Sequence, residues 1–127
     1  MSEEKLAIVR SIYSAWLQGE TARSWIDPEI EYVNPPDAVE GGTRYGRKAF
    51  AGIRDAYDEV RVEPQEIIDA GGDDVVVIAR ITGKGRGSGM EIDLRQGYVW
   101  TIRDGQAVRF RWFNDPEQAL QASGLSG

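Results

Sequence analysis

The hydrophobic positions in two parts of the chain repeat with the spacing of an amphipathic α-helix. Within residues 3–20, apolar side chains recur every three or four positions, and this pattern ends at Gly19. The segment therefore predicts a first helix. Residues 46–60 predict another helix, because apolar side chains recur there with the same spacing. The apolar stripe of this later segment consists of Phe50, Ile53, Tyr57 and Val60.

Shorter elements lie between these two helices. Residues 21–26 predict a short helix that ends at Asp27-Pro28. Residues 29–36 predict a short strand, which two prolines close because proline cannot donate to the hydrogen-bond ladder of a sheet.

After Pro64 the hydrophobic period changes from that of a helix to that of β-strands. Residues 66–83 predict two strands around a Gly-Gly-Asp-Asp turn, and residues 90–102 and 106–114 predict two more. We therefore expect an α+β fold in one domain spanning residues 1–127. In this fold a curved antiparallel sheet wraps around helices that cover one of its faces.

The chain ends in a segment with the signals of a short helix, residues 114–124. Asp115 is placed to cap its first turn, Pro116 occupies the first helical position, and Gly124 follows the last turn. This capping role accounts for Asp115 without a catalytic function.

Alternation along the last two strands predicts which side chains share a face of the sheet. We expect a three-residue loop with Gly105 in a bulge, which pairs Tyr98 with Phe110, rather than a two-residue turn that pairs Arg103 with Gln106. The outer face is expected to carry Arg95, Arg109 and Arg111. The inner face is expected to carry Ile92, Leu94, Gln96, Tyr98, Trp100, Ile102, Phe110, Trp112 and Asn114.

Composition excludes several kinds of chemistry. The chain contains neither cysteine nor histidine, so it lacks a thiol nucleophile and the usual general base near neutral pH. We expect no metal and no redox cofactor, and any acid–base chemistry would fall to carboxylates or tyrosines.

Charge and hydropathy bear on the partners. The net charge of −6 argues against a nucleic-acid partner. Residues 80–111 are locally basic, which would suit an anionic small molecule or neutralise acidic groups within the same domain. The longest apolar run, Val75–Ala79, is too short to span a bilayer, and we expect a cytoplasmic protein.

The glycine-rich stretch GKGRGSG, residues 83–89, invites comparison with phosphate-binding loops. Its Gly-Lys pair is followed by glycine rather than Ser or Thr, and predicted strands lie on both sides. A P-loop requires a helix on one side, and the dinucleotide motif requires a glycine at a position that is Ser88 or Met90 here. The stretch therefore predicts a bend or bulge in a hairpin.

Several motifs together resemble one family. Three stretches are similar to the SnoaL-like branch of the nuclear transport factor 2-like superfamily: YGRKAF at the start of the predicted helix 46–60, RVEPQEIIDAGGDDVVV, and VWTIRDG before the last strand. The resemblance extends over essentially the whole chain. It implies a cone of sheet and helices around one pocket, and a homodimer through the outer sheet face.

The resemblance also assigns possible catalytic positions. In the ketosteroid isomerase pattern, Tyr13 and Tyr98 would donate hydrogen bonds to a substrate oxygen, while the base falls on Asn34, whose amide cannot accept the proton. In the epoxide hydrolase pattern, Tyr32 and Asn34 would hold a water beside Arg80. The activating carboxylates of that pattern would fall on Thr82 and Trp112, so neither reaction is expected in its known form.

Two functions remain open from the sequence. The first is binding of a small apolar or ring-containing metabolite in the cone, with isomerase, cyclase or hydrolase chemistry as an extension. The second is a non-catalytic module that dimerises through its outer sheet face. The expected ligand-binding residues are Trp16, Tyr32, Asn34, Arg80, Gln96, Tyr98, Trp100, Phe110, Trp112 and Asn114, with Tyr13, Asn34 and Tyr98 as catalytic candidates.

Overall fold

A computed structural model describes residues 2–35, 38, 41–50 and 57–125. Two α-helices, six β-strands and two short 3₁₀ turns form the regular structure of these residues. The elements are α1 (Ser2–Leu17), a 3₁₀ turn (Arg23–Trp25), β1 (Ile26–Asn34), β2 (Gly42–Tyr45), a second 3₁₀ turn (Arg47–Phe50), β3 (Tyr57–Asp69), β4 (Asp74–Gly85), β5 (Glu91–Arg103), β6 (Gln106–Phe113) and α2 (Pro116–Ala122).

All six strands belong to one curved sheet with the order β2-β1-β6-β5-β4-β3. The predicted α+β class is confirmed. The sheet is not wholly antiparallel as expected, because β1 runs parallel to β6 and places Tyr32 beside Phe110. Residues 35–105 connect these two strands, which is far more than the roughly dozen residues that a parallel pair requires.

Helix α1 packs on the inner face of the sheet. Its side chains Val9, Ile12 and Tyr13 are buried there. Along β4 the odd-numbered residues from Val75 to Ile81 belong to the same core. The period of the helix and the alternation of the strands thus meet in one apolar layer.

Helix α2 lies on the opposite, outer face, which corrects the expectation that helices cover only one face. Ala119 packs with Val76, Ile78 and Val99 in a second, smaller core. A Cβ added at Gly97 would lie 2.5 Å from Cβ of Ala119, so the glycine permits the close approach of helix and strand.

Both ends of α2 match the sequence signals. The side chain of Asp115 accepts a hydrogen bond from the backbone N–H of Glu117, and a proline occupies the first turn, as predicted. At the other end, the N–H of Leu125 donates to the carbonyl of Leu120, and Gly124 has a φ of 81°.

The hairpin between β5 and β6 differs from the prediction. Arg103 pairs with Gln106 across a two-residue turn in which Asp104 and Gly105 both have positive φ. The register then shifts by one residue at Val108, between the pairs Ile102–Ala107 and Thr101–Arg109.

The consequence of this bulge is that apolar side chains still face each other. Trp100 lies opposite Phe110 and Tyr98 lies opposite Trp112. The predicted pairing of Tyr98 with Phe110 is therefore wrong, whereas the predicted shared face is right.

Within the described residues, parts of two predicted helices form other structure. Within residues 46–60, Phe50 ends a 3₁₀ turn, Ile53 lies outside the described residues, and Tyr57 and Val60 belong to β3. Tyr57 pairs with Gly85 of β4, so pairing between strands prevails over the helical spacing.

The other segment that was predicted to be a helix is residues 21–26. Only a three-residue 3₁₀ turn forms there, and Asp27-Pro28 lies inside β1 instead of ending a helix. In this turn the carbonyl of Arg23 accepts a hydrogen bond from Arg47, whose Nε also donates to the carbonyl of Ile26 at 2.8 Å.

The glycine-rich stretch forms a hairpin, as predicted. It closes the end of the β4–β5 pair, where the N–H of Gly85 donates to the carbonyl of Met90 at 2.8 Å. Gly87 and Gly89 have φ values of 81° and 67°, which residues with a side chain rarely adopt.

Arginines of the basic segment bind acidic or polar groups of the same domain. Arg80 binds Asp93 and Arg103 binds Asp73, while Arg95 donates to the amide oxygen of Gln65. These contacts favour the interpretation that the basic segment neutralises acidic groups of the same domain, rather than the one in which it binds an anionic small molecule. Neither helix in the described part of the chain is long and apolar enough to cross a membrane.

Candidate functional site

A cluster of aromatic rings lies on the inner face of the sheet. The ring centroids of Trp100 and Phe110 lie 4.6 Å apart, and those of Tyr32 and Phe110 lie 5.2 Å apart. The cluster joins α1, β1, the second 3₁₀ turn, β5 and β6. Its members are Tyr13, Trp16, Tyr32, Phe50, Tyr98, Trp100 and Phe110.

Phe50 is the member that sequence reasoning missed as a site residue. Its ring stacks on that of Trp100 with an interplanar angle of 8°, and its centroid lies 5.1 Å from that of Tyr32. The apolar stripe of residues 46–60 was the available signal, but that stripe indicated a helix core rather than a site.

The deep end of the cluster is closed by a hydrogen bond between α1 and β5. Trp100 Nε1 donates to Tyr13 Oη at 2.9 Å, and both residues are buried. Burial raises the pKa of the Tyr13 hydroxyl well above its ordinary value, and the nearby Tyr98 raises it further. Tyr13 is thus a neutral phenol that keeps its own proton.

The other end of the cluster is polar. Tyr98 Oη donates to Oε1 of the half-buried Gln96 at 2.9 Å, and both side chains lie on the inner face of β5. Burial raises the pKa of Tyr98, and it raises the pKa of the half-buried Tyr32 to about 12. These phenols therefore act as hydrogen-bond donors or acceptors at neutral pH, not as phenolates.

Asn34 sits beside the same polar end, and both ends of its amide have partners. Trp112 Nε1 donates to Asn34 Oδ1 at 2.7 Å, and Asn34 Nδ2 donates to the carbonyl of Gly42 at 3.2 Å. Because Oδ1 already accepts this bond, it has less capacity left to accept a hydrogen bond from a water molecule. Holding such a water is the role that the epoxide hydrolase pattern implies for Asn34.

Three other positions of interest lie away from the rings. Arg80 is exposed on the outer face, where it forms two hydrogen bonds with Asp93 at 2.8 and 2.6 Å. Thr82 alternates with it on the same outer face, and Asn114 is exposed just beyond β6. The structure does not bring these three residues to the aromatic cluster.

The chemistry of the assembled groups is that of neutral donors over an apolar surface. Phenols and side-chain amides can orient a ligand and polarise its oxygen atoms, but an amide cannot act as a base near neutral pH. In the described residues no three acidic side chains converge closely enough to hold a metal ion.

Solved structures with the same fold share little sequence with this chain. A nuclear transport factor 2-like protein from Burkholderia thailandensis E264 is 25% identical, covers 92% of this chain and 97% of its own, and has a TM-score of 0.75. TerC, co-crystallised with polyporic acid, is 23% identical over 95% of this chain and 98% of its own, with a TM-score of 0.73.

A third neighbour also carries a small molecule. A protein with a ketosteroid isomerase-like fold from Catenulispora acidiphila DSM 44928, in complex with trimethylamine, is 21% identical. It covers 93% of this chain and 92% of its own, with a TM-score of 0.68. No curated protein sequence matches this chain.

The family follows from a separate match. The SnoaL-like domain matches residues 9–110, which include the second half of α1, β1 to β5 and the start of β6. The strand order and the inner aromatic face lie within this span, in agreement with the resemblance of the sequence motifs. The chain therefore belongs to the SnoaL-like family and has the nuclear transport factor 2-like fold.

Proposed function

We propose that this protein binds a small apolar, ring-containing molecule on the inner face of its sheet. The observation that carries the proposal is a polar end with free hydrogen-bonding capacity beside a surface of aromatic rings. Gln96 Nε2 and the hydroxyl of Tyr32 have no hydrogen-bond partner among the described residues, although both side chains are half-buried. Neither atom is buried without access to solvent, so a ligand on this face would replace the water that hydrogen-bonds to them.

The aromatic surface suits a flat ring system. Aromatic pairs favour offset-stacked or edge-on contacts with centroids about 4.5–7 Å apart, and the rings around Phe50 already adopt both kinds. Structural neighbours that carry polyporic acid or trimethylamine support a binding function for this fold. Their low sequence identity means that they do not identify the ligand of this chain.

The four tryptophans of the chain allow a direct test. We would titrate the protein with fluorene, an apolar tricycle, and follow the indole N–H signals by NMR. The signals of Trp100 and Trp112 should shift, whereas that of Trp25, which lines a shallow groove on the far side of α1, should not. A titration that moves no indole signal, or only that of Trp25, would contradict the proposal.

A catalytic role extends this proposal to isomerase, cyclase or hydrolase chemistry without a metal. Its support is limited to the donor Gln96 Nε2, which could polarise a carbonyl, since the hydroxyl proton of Tyr98 is already donated to Gln96 Oε1. The carboxylate positions of the related enzymes are Asn34, Thr82 and Trp112 here, so the substrate or solvent would have to accept the proton. For this reason binding, rather than turnover, is the proposed function.

A non-catalytic dimeric module is the alternative, and one observation on the outer face favours it. Nε of Arg111 is buried without a hydrogen-bond partner, and the guanidinium lies 3.7 Å from Asp74. The Arg111 side chain as a whole is 18% exposed, so a second subunit placed on this face would supply an acceptor to its terminal nitrogens rather than to Nε. Sedimentation velocity tests the alternative: a dimer that Arg111→Met converts to monomer supports it, and a monomer at all concentrations rejects it.

A further inference from the structure

The ring of Trp100 is covered by other aromatic rings of the same chain. Trp100 is 0% exposed. In the described part of the chain four rings surround it, and only that of Phe50 lies parallel to it, with an interplanar angle of 8°. The other three meet it at 49° to 86°. Phe50 therefore occupies the face of the indole on which a flat ligand would stack, and we call this position the ring site.

The ring of Phe50 also contacts the rest of the cluster as a ligand ring would. Its centroid is 5.1 Å from those of Tyr32 and Phe110, and 5.4 Å from that of Trp16. Together with Trp100, these rings come from α1, β1, β5 and β6. One phenyl group thus makes the stacked and edge-on contacts that the inner face offers to an aromatic molecule.

Packing alone holds the side chain of Phe50 in the ring site. Phe50 is half-buried and is the last residue of the second 3₁₀ turn. Hydrogen bonds fasten this turn at its start, where Arg47 donates to the carbonyls of Ile26 and Arg23. A phenyl ring has no polar atom, so moving it aside breaks only van der Waals contacts. A ligand ring can replace these with contacts of the same kind.

We propose that Phe50 is an internal occupant of the ring site, and that a ligand binds by displacing its ring from Trp100. The site is then closed in most molecules of the free protein. Its apparent affinity is the intrinsic affinity multiplied by the fraction of molecules in which Phe50 has moved aside. The inference rests on the proposed binding function, and it adds the control of access to that site.

The opposite role for Phe50 predicts the opposite effect of removing its ring. If Phe50 is a fixed part of the wall, a ligand lies against it, and loss of the ring removes a contact and weakens binding. If Phe50 is the occupant, loss of the ring opens the site and strengthens binding. The sign of the change in affinity therefore decides between the two roles.

Titration with naphthalene, a flat apolar bicycle, measures this change through the indole N–H signals in NMR spectra. Phe50→Ala should raise the affinity for naphthalene about tenfold or more, because an open state populated at roughly 10% or less becomes the only state. Phe113→Ala is the matched control. Phe113 is also half-buried, but it packs in the second core on the outer face, so its removal should leave the affinity unchanged.

The unsubstituted protein provides a second measurement. In the free protein, nuclear Overhauser effects should connect the ring protons of Phe50 with those of the Trp100 indole, because the two centroids lie 5.8 Å apart. Saturation with naphthalene should abolish these effects, since the ring of Phe50 moves aside. This measurement needs no substitution, so it decides the question even if Phe50→Ala does not fold.

The outcomes separate the inference from the proposed function. An affinity of Phe50→Ala for naphthalene that is equal to or lower than that of the unsubstituted protein would overturn the inference while the binding function stands. Overhauser effects between Phe50 and Trp100 that persist when naphthalene is bound would do the same. If naphthalene moves no indole signal in either protein, the proposed binding function is overturned, and the inference with it.

Discussion

Trp100 and Tyr13 are 87 residues apart in the chain, and a single buried hydrogen bond of 2.9 Å joins their side chains. No second acceptor for the indole N–H of Trp100 is present among the residues that the structure describes. Tyr13 is therefore a structural partner first, and its phenol anchors α1 to the inner face of β5. The isomerase-like role that the sequence suggested for Tyr13 would have to coexist with this bond.

Replacing Tyr13 with Phe should destabilise the protein by about 1–3 kcal/mol, because it leaves the buried N–H of Trp100 without an acceptor. Urea unfolding monitored by circular dichroism measures the change. Tyr45→Phe provides the matched control, since Tyr45 is 70% exposed. Equal stabilities of the two variants would show that the hydrogen bond contributes nothing.

Gly97→Ala should destabilise the protein by about 1–3 kcal/mol through overpacking, because the added methyl group would meet Ala119 and Pro116 of α2. Adding Ala119→Gly should restore part of the loss by making room. Gly41→Ala is the control, since the nearest atom to its added Cβ lies 3.9 Å away. A Gly97→Ala variant as stable as the control would show that α2 does not pack closely on β5.

The buried phenols should make the protein sensitive to alkali. Burial raises the pKa of Tyr32 from 10.0 to about 12, so the folded state holds a proton that the unfolded state releases above pH 10. The stabilisation is complete below pH 10 and is lost as the pH rises through about 12.

Tyr32→Phe should remove this contribution. Between pH 10 and 12 the free energy of unfolding should fall less steeply in the variant, by about 1.4 kcal/mol per pH unit. Denaturant unfolding at a series of pH values measures the two slopes. Identical slopes would mean that Tyr32 titrates alike in both states.

Arg80→Ala should leave the affinity for fluorene unchanged, since Arg80 binds Asp93 on the outer face, away from the aromatic cluster. The NMR titration of the indole N–H signals with fluorene provides the measurement. A large loss of affinity in Arg80→Ala would place the ligand on the outer face instead.

The alternation of apolar and polar residues predicted the faces of the sheet correctly, whereas the turn signals did not predict the register of the last hairpin. The inner positions of Gln96, Tyr98 and Trp100 follow from a period of two, and the structure retains them. The connection to β6 could not be deduced in the same way, because a two-residue turn followed by a bulge at Val108 restores the parity that a three-residue loop would give.

Where both faces of a strand are equally apolar, the sequence does not show which face a residue lies on. Both faces of β4 are apolar because α1 covers one and α2 covers the other, so no pattern in the sequence shows which way Arg80 points. Tyr57 and Val60 follow a helical spacing, but Tyr57 pairs with Gly85 of β4, and Val60 lies in the irregularity of β3 between Asp58 and Arg61. The isolated Gly97 within β5 was the one local sign that another element approaches the outer face.

The parallel pairing of β1 with β6 has a consequence for how the chain acquires its structure. The position of β1 between β2 and β6 cannot be completed until the last strand has been made, because Tyr32 must meet Phe110. Contacts between residues so distant in sequence slow folding, since a long loop has to close before any of them forms. During synthesis, β1 and β2 would form an isolated hairpin, and the edge of β1 that pairs with β6 would stay unpaired until β6 has been made. The aromatic inner face would therefore assemble as a late, cooperative event of synthesis.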